Sequence, residues 1–149
     1  MLKLEPITED NYEKVISLKI RDSQEKFLAP NVRSLADAYV YRNEDVTPFA
    51  VLNNEEIVGF ILFDVDEDDS STSIIWRMMI DEKHQGNGYG KELLEIAKNY
   101  SKEKGFKSMI ADYVQGNEVM KHALMKAGFY EDGIDDYDQV IMRYDYKTK

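Results

Sequence analysis

The sequence predicts a single α/β domain spanning residues 1–149, a central mixed β-sheet flanked by helices. Three observations carry this. Strand-like and helix-like apolar patterns alternate along the chain. One run, Ile74 to Ile80, is almost continuously apolar and reads as a central strand buried on both faces. A length of 149 residues with 43% hydrophobic side chains suffices for one real core, and no repeat, linker or long charge run marks a second domain.

Taken in order, Leu2 and Leu4 alternate with polar residues up to Pro6 and form a short first strand. Thr8 stands at a helix N-cap, with Glu9 and Asp10 in the first turn and Tyr12, Val15, Ile16 and Lys19 along one face. After the irregular "RDSQEKFLAPNVR", a second helix is expected from Ser34, whose hydroxyl caps "LADAYVY". "PFAVLN", the turn Asn53-Asn54 and "EIVGFILF" make a hairpin. The acidic stretch from Asp64 to Asp69 ends it as a solvated turn, and "STSIIWRMMID" is the next strand. Leu93, Leu94, Ala97 and Tyr100 stripe a helix that Gly105 terminates. "FKSMIADYV" is a strand, and "NEVMKHALMKAGF" is a helix with Val119, Met120, Ala123, Leu124 and Ala127 on one face and Gly128 as its stop. "QVIMRYDY" is the last strand, which gives the order β-α-α-β-β-β-α-β-α-β.

Composition removes several function classes. The chain has no cysteine, so disulfides, thiolate catalysis and Cys-based metal sites are excluded. His84 and His122 lie far apart, and no metal site is expected. A net charge of −10 makes nucleic acid a poor partner, since phosphate contacts need clustered Lys and Arg. The same charge favours solubility and attracts cationic small molecules. No stretch approaches the roughly 20 apolar residues of a membrane helix. "MLKLEPITED" lacks the features of a signal peptide, so a cytoplasmic location is expected. Small molecules, and a second copy of the chain in a homodimer, are the partners compatible with these features.

The chemistry concentrates at His84-Gln85-Gly86-Asn87-Gly88-Tyr89-Gly90, where three of the chain's eight glycines fall within five residues. Strand, glycine loop and helix in succession turn backbone N–H groups inward and add the helix's partial positive charge, which suits phosphate. A Walker A loop is excluded because Glu92, not Ser or Thr, follows Gly90-Lys91. A Rossmann fingerprint is excluded by the Gly-x-Gly-x-Gly spacing and by the loop's place past the middle of the chain.

What the residues match is Gln/Arg-x-x-Gly-x-Gly/Ala. The loop resembles the pyrophosphate-binding loop of the GNAT superfamily of N-acyltransferases, which use acetyl-CoA. "MMIDEKHQGNGYGKELL" is similar to that superfamily's strand-loop-helix motif, and "VQGNEVMKHALMKAGFYEDG" to its second motif, with Asn117 opening a helix that ends at Gly128-Phe129. "SQEKFLAPNVRSLADAY", "WRMMIDEKHQGNGYGK", "QGNEV" and "GIDDYDQVIMR" further resemble bacterial diamine or spermine/spermidine acetyltransferase-type proteins.

The resemblance implies roles residue by residue. The strand before the loop is expected to splay from its neighbour. Met78 and Ile80 would then offer backbone groups to pantetheine, with the Met78 N–H polarising the thioester carbonyl. The amides of Gln85, Gly86, Asn87, Gly88, Tyr89, Gly90 and Lys91 would hold the pyrophosphate, and Asn117 the pantetheine arm. No metal is implied. The Tyr that usually serves as acid is replaced by Leu124, which cannot donate a proton, and the position of the usual Glu base by Trp76 beside Arg77. Tyr113, a water, or no acid at all would complete the proton transfers. Glu25 and Phe27 would receive an alkylammonium by ion pairing and cation–π contact, in a wall that continues to Tyr39.

Overall fold

Alternating side chains along extended segments build one seven-stranded sheet, in a computed structural model that describes residues 1–147. The strands are β1 (Leu2–Pro6), β2 (Thr47–Asn53), β3 (Glu56–Val65), β4 (Thr72–Ile80), β5 (Ser108–Val114), β6 (Tyr130–Ile134) and β7 (Gln139–Asp145). The helices are α1 (Tyr12–Ser17), α2 (Asn31–Val40), α3 (Tyr89–Glu103) and α4 (Glu118–Lys126). The sheet order is β1-β2-β3-β4-β5-β7-β6, antiparallel except where β4 meets β5 in parallel. The mixed sheet flanked by helices is as the sequence predicts.

Each face of the sheet buries its own apolar cluster. Ile61, Ile75 and Met109 pack with Leu93, Leu94 and Ala97 of α3 and Leu124 of α4. On the other face Phe60, Leu62 and Met79 pack with Val15 of α1 and Ala38 of α2. Alternation puts Met78 and Ile80 toward α3 and α4, and Met79 toward α1 and α2.

Several boundaries differ from expectation. The regular turns of α1 start only at Tyr12, after Asn11, yet Thr8 caps the turn that leads into them. Its hydroxyl accepts the Asp10 N–H at 3.2 Å, its carbonyl accepts the Tyr12 N–H at 3.0 Å, and the Asn11 carboxamide accepts its N–H at 2.8 Å while donating to Glu5 and to the Pro6 carbonyl. Tyr12 and Ile16 face outward from this short helix, leaving Val15 as its buried anchor. Helix α2 begins at Asn31, so Ser34 is a buried mid-helix hydroxyl that accepts from Arg77 rather than a cap. Asp22–Phe27, expected as irregular, winds into a 3-10 helix. The hairpin turn is Asn54-Glu55, one residue later than expected, with Asn54 at φ 58. Strand β6 was not expected; all five of its residues are exposed, so no buried face writes a pattern into the sequence.

The β4–β5 pairing is what shapes the site. The two strands share four rungs, from Thr72 opposite Ser108 to Ile75 opposite Ala111, and then part. Just there β4 carries a bulge: Leu62 pairs with Arg77 and Phe63 with Ile75, leaving Trp76 as the extra residue. The bulge places Trp76 and Arg77 on the α2 side. The Arg77 guanidinium lies 4.8 Å from the Trp76 ring centroid and donates to Asp37 at 2.6 Å.

Burial alone would raise the Asp37 carboxyl, but hydrogen bonds and charge from Arg77 and Arg33 outweigh it and hold it below its usual range. The pair's contribution is therefore present above the usual carboxylate range and is lost as pH falls through Asp37's lowered value. Asp37→Asn is expected to cost about 2 kcal/mol in urea unfolding at neutral pH, by leaving a largely buried guanidinium short of its charged acceptor. The difference from the parent protein should shrink on acidification; a difference independent of pH would refute the ion-pair account.

Candidate active site

Where β4 and β5 part, a cleft of about 1070 Å³ opens between them. Its walls are β4 from Ile75 to Ile80, β5 from Ala111 to Val114, the start of α4, the glycine loop and the 3-10 segment.

The backbone along β4 has a definite polarity. The Asp81 N–H donates to the Val58 carbonyl at 2.8 Å, so in this antiparallel pair residues 77, 79 and 81 turn their peptide groups toward β3. Met78 and Ile80 consequently turn theirs toward β5, beyond the last shared rung. The Ile80 carbonyl accepts from Gln85 Nε2 at 2.9 Å, which leaves the Met78 groups and the Ile80 N–H facing the cleft. Gln85 also pairs with Gln24 at 3.0 Å, locking the glycine loop to the 3-10 segment. Behind the loop, Asp81 accepts the Lys19 N–H at 3.0 Å and anchors the end of β4.

Gly86 and Gly88 adopt φ of +85 and +80, conformations that side chains disfavour, and Gly88 is the N-cap of α3. A Cβ on Gly86, Gly88 or Gly90 would meet nothing within 4 Å, so the loop is an open cradle at a helix N-terminus. Tyr89 turns back into the core and its hydroxyl accepts from Asn53 at 2.9 Å. Gln85, Gly86, Gly88, Tyr89 and Gly90 line the cleft, whereas Asn87 and Lys91 stand outside the lining, with Asn87 bonded to the His84 carbonyl. On the facing wall, Asn117 is the N-cap of α4. Its carboxamide oxygen accepts the Met120 N–H at 3.3 Å, which leaves the NH₂ group for the cleft.

Tyr113, buried to 8% exposure, lines the cleft from the α3/α4 side. Leu124 is wholly buried in the same cluster, so the position that would carry an acid is spent on packing. Glu25 and Phe27 both lie at the cleft, Glu25 exposed. Lys26 already covers the Phe27 ring, its Nζ 5.0 Å from the centroid, which weakens the expected role of Phe27 as a free cation–π face. Tyr39 is no part of the wall: it is 67% exposed on α2 and stacked under Arg42.

Sequence reasoning missed Asp112, the one carboxylate that β5 places in the cleft. Burial, and after it the neighbouring carboxyl of Asp135, pushes Asp112 up to about 8. Burial alone would raise Asp135 too, but its hydrogen bond with Asp112 and the N–H groups of Gln139 and Tyr137 hold it below its usual range. The signal that could have exposed Asp112 is a lone acid inside the apolar strand "SMIADYV". Among the described residues no group of three or more His, Cys, Asp or Glu is arranged to hold a metal, and no helix is long and apolar enough to cross a membrane.

Comparison with known proteins agrees with this fold. The sequence model of the acetyltransferase (GNAT) family matches residues 12–129. A spermine/spermidine N(1)-acetyltransferase of Bacillus subtilis (strain 168) is 26% identical over 102 residues, which are 63% of this chain and 64% of that protein. The match thus spans a little under two thirds of the relative's length. Among solved structures, aminoglycoside acetyltransferase AAC(6')-Ib in complex with coenzyme A and kanamycin superposes with a TM-score of 0.81 at 18% identity, covering 97% of this chain and 95% of that one. The GNAT domain of S. lividans PAT gives 0.78 at 21% identity, over 97% and 90% of the two chains. The PaiA N-acetyltransferase of Thermoplasma acidophilum, in complex with coenzyme A, gives 0.74 at 18%, over 98% and 99%. With the family model spanning most of the sequence and the forked sheet in place, the chain belongs to the acetyltransferase (GNAT) family.

Proposed function

We propose that the protein transfers an acetyl group from acetyl-CoA to the primary amine of a small molecule, by direct attack of the amine on the thioester. The observation that carries this reading is the free backbone edge at Met78 and Ile80, running directly into the open glycine cradle at the start of α3. A pantetheine arm is a chain of amides, and it fits that edge as an extra strand would. In this reading the N–H groups of the glycine loop hold the diphosphate, and the helix dipole of α3 favours its charge. The Met78 N–H is the donor for the oxygen that gains charge during attack. The Asn117 NH₂ group holds the arm from the α4 side. The protein's partners in this reading are acetyl-CoA and the amine, with no metal in the reaction.

A diamine or polyamine is the acceptor class we favour. The chain carries a net charge of −10, Glu25 stands at the cleft mouth, and the relative from Bacillus subtilis acts on spermine and spermidine by name. In this reading Tyr113, which lines the cleft, returns a proton to the leaving thiolate. Leu124 favours a second reading, a CoA-binding domain of weak catalysis with a sensing role, because it removes the usual acid.

Thiol release from acetyl-CoA is expected with alkyl diamines and to be slower with aminoglycosides or amino acids. Tight coenzyme A binding without amine-dependent release would instead establish the sensing role. Tyr113→Phe should lower kcat by at least roughly tenfold; an unchanged kcat removes Tyr113 as the acid. Gly88→Ala meets no clash but must hold a φ of +80 in the bound loop. Calorimetry should find coenzyme A binding weakened up to roughly tenfold, and an unchanged affinity would refute the cradle.

A further inference from the structure

Asp112 is the first residue of β5 beyond the last rung it shares with β4. Its neighbours Ala111 and Tyr113 pack into the α3/α4 cluster, so alternation turns the Asp112 side chain to the opposite face. That is the face covered by α1 and α2, from which the 3-10 segment with Glu25 approaches the cleft. The Asp112 Oδ1 atom is buried without a hydrogen-bond partner, and the group beside it is another carboxyl, Asp135. Asp135 is itself fixed, its Oδ1 accepting the Tyr137 and Gln139 N–H groups at 2.8 and 2.9 Å. Two ionised carboxylates have nothing to give each other, whereas one shared proton satisfies both.

We propose that Asp112 is the base of the transfer, taking the proton that the acceptor's ammonium must lose before its nitrogen attacks, with Asp135 as its positioning residue. This rests on the acetyl-transfer reading above. The Asp112 carboxylate accepts one N–H proton and leaves a neutral amine. The nitrogen lone pair forms the N–C bond to the acetyl carbon, the C–S bond breaks with its electrons on sulfur, and the remaining surplus N–H proton ends on the thiolate. The proton on Asp112 departs to solvent, so ammonium plus acetyl-CoA gives the acetamide, coenzyme A thiol and one proton.

The surroundings suit the task. An ordinary carboxylate binds a proton about six orders of magnitude less tightly than an alkylamine does, too weakly for efficient transfer. With Asp112 at about 8 the gap narrows to about two orders. Asp135, from the β6–β7 connection, and Asp66, from the β3–β4 turn, both raise its proton affinity. Two cations of the neighbouring strands are engaged elsewhere: Arg77 on β4 with Asp37, and Arg143 on β7 with Asp132. The β7 residues opposite this stretch of β5, Ile141 and Gln139, carry no charge. Arg21, Glu25 and Lys26 of the 3-10 segment and its approach line the same cleft.

The test is kcat/KM against pH at saturating acetyl-CoA, for an alkyl diamine and for trifluoroethylamine, whose amine is already neutral through the assay range. Wild type should rise through an apparent value near 8 with the diamine. D112N should lose that limb and fall on the order of a hundredfold or more with the diamine, yet stay within roughly threefold of wild type with trifluoroethylamine, which has no ammonium proton to lose. Asp135→Asn removes the like charge and should move the limb down by about one pH unit. A D112N protein that keeps the limb, or loses equally with both amines, overturns the assignment. If D112N does not fold, an unmoved limb in D135N overturns it. Wild type without amine-dependent thiol release overturns the acetyl-transfer reading and this one together, an outcome distinct from either variant result.

Discussion

Peptide groups on the β5-facing side of β4 lose their partners after Ile75, and a buried strand edge without partners is costly. The local structure is arranged around that edge. Gln85 returns to satisfy the Ile80 carbonyl, Asp81 fixes the strand's end to the α1 side, and the glycine loop is delivered to the cleft mouth. What stays open is a short run of backbone donors and acceptors at the depth of the core. A ligand that carries its own amides can complete the sheet there, and few other ligands can. The fork thus selects the chemistry of its occupant before any side chain takes part.

Side chains then divide the work across the sheet. On β5, Tyr113 turns to the α3/α4 face and Asp112 to the α1/α2 face, one residue apart on either side of the same opening. On β4 the bulge at Trp76 pushes a second polar residue, Arg77, to the α2 face, where Asp37 neutralises it. Arg77 is thereby engaged, although its guanidinium lies in the cleft wall.

The sequence was legible where one physical demand dominated each residue. The glycine loop could be read because φ near +80 favours Gly at 86 and 88. Strands β2 to β5 and helices α3 and α4 could be read because each buries a regular stripe against a cluster. Strand β6 could not: Tyr130, Glu131, Asp132, Gly133 and Ile134 are all exposed, and only pairing to β7 makes them extended. The start of α2 was misplaced because Ser34 is a sound cap in isolation, while a tertiary partner, Arg77, takes its hydroxyl inside a helix that begins at Asn31. Asp112 was missed for a related reason. Its character comes from Asp135, 23 positions away, and from a fork that no local pattern encodes.

The two ends of the sheet have a bearing on how copies of the molecule meet. β1 and β6 are its outer strands, and an outer strand is a template for another. β1 stops at Pro6, which has no N–H to offer, and its Leu2 N–H is taken by the Glu92 carboxylate of α3. On β6, a two-fold pairing with a second β6 would bring Glu131 and Asp132 of one chain against those of the other. Joining sheets edge to edge would therefore have to overcome a missing donor at one rim and like charges at the other.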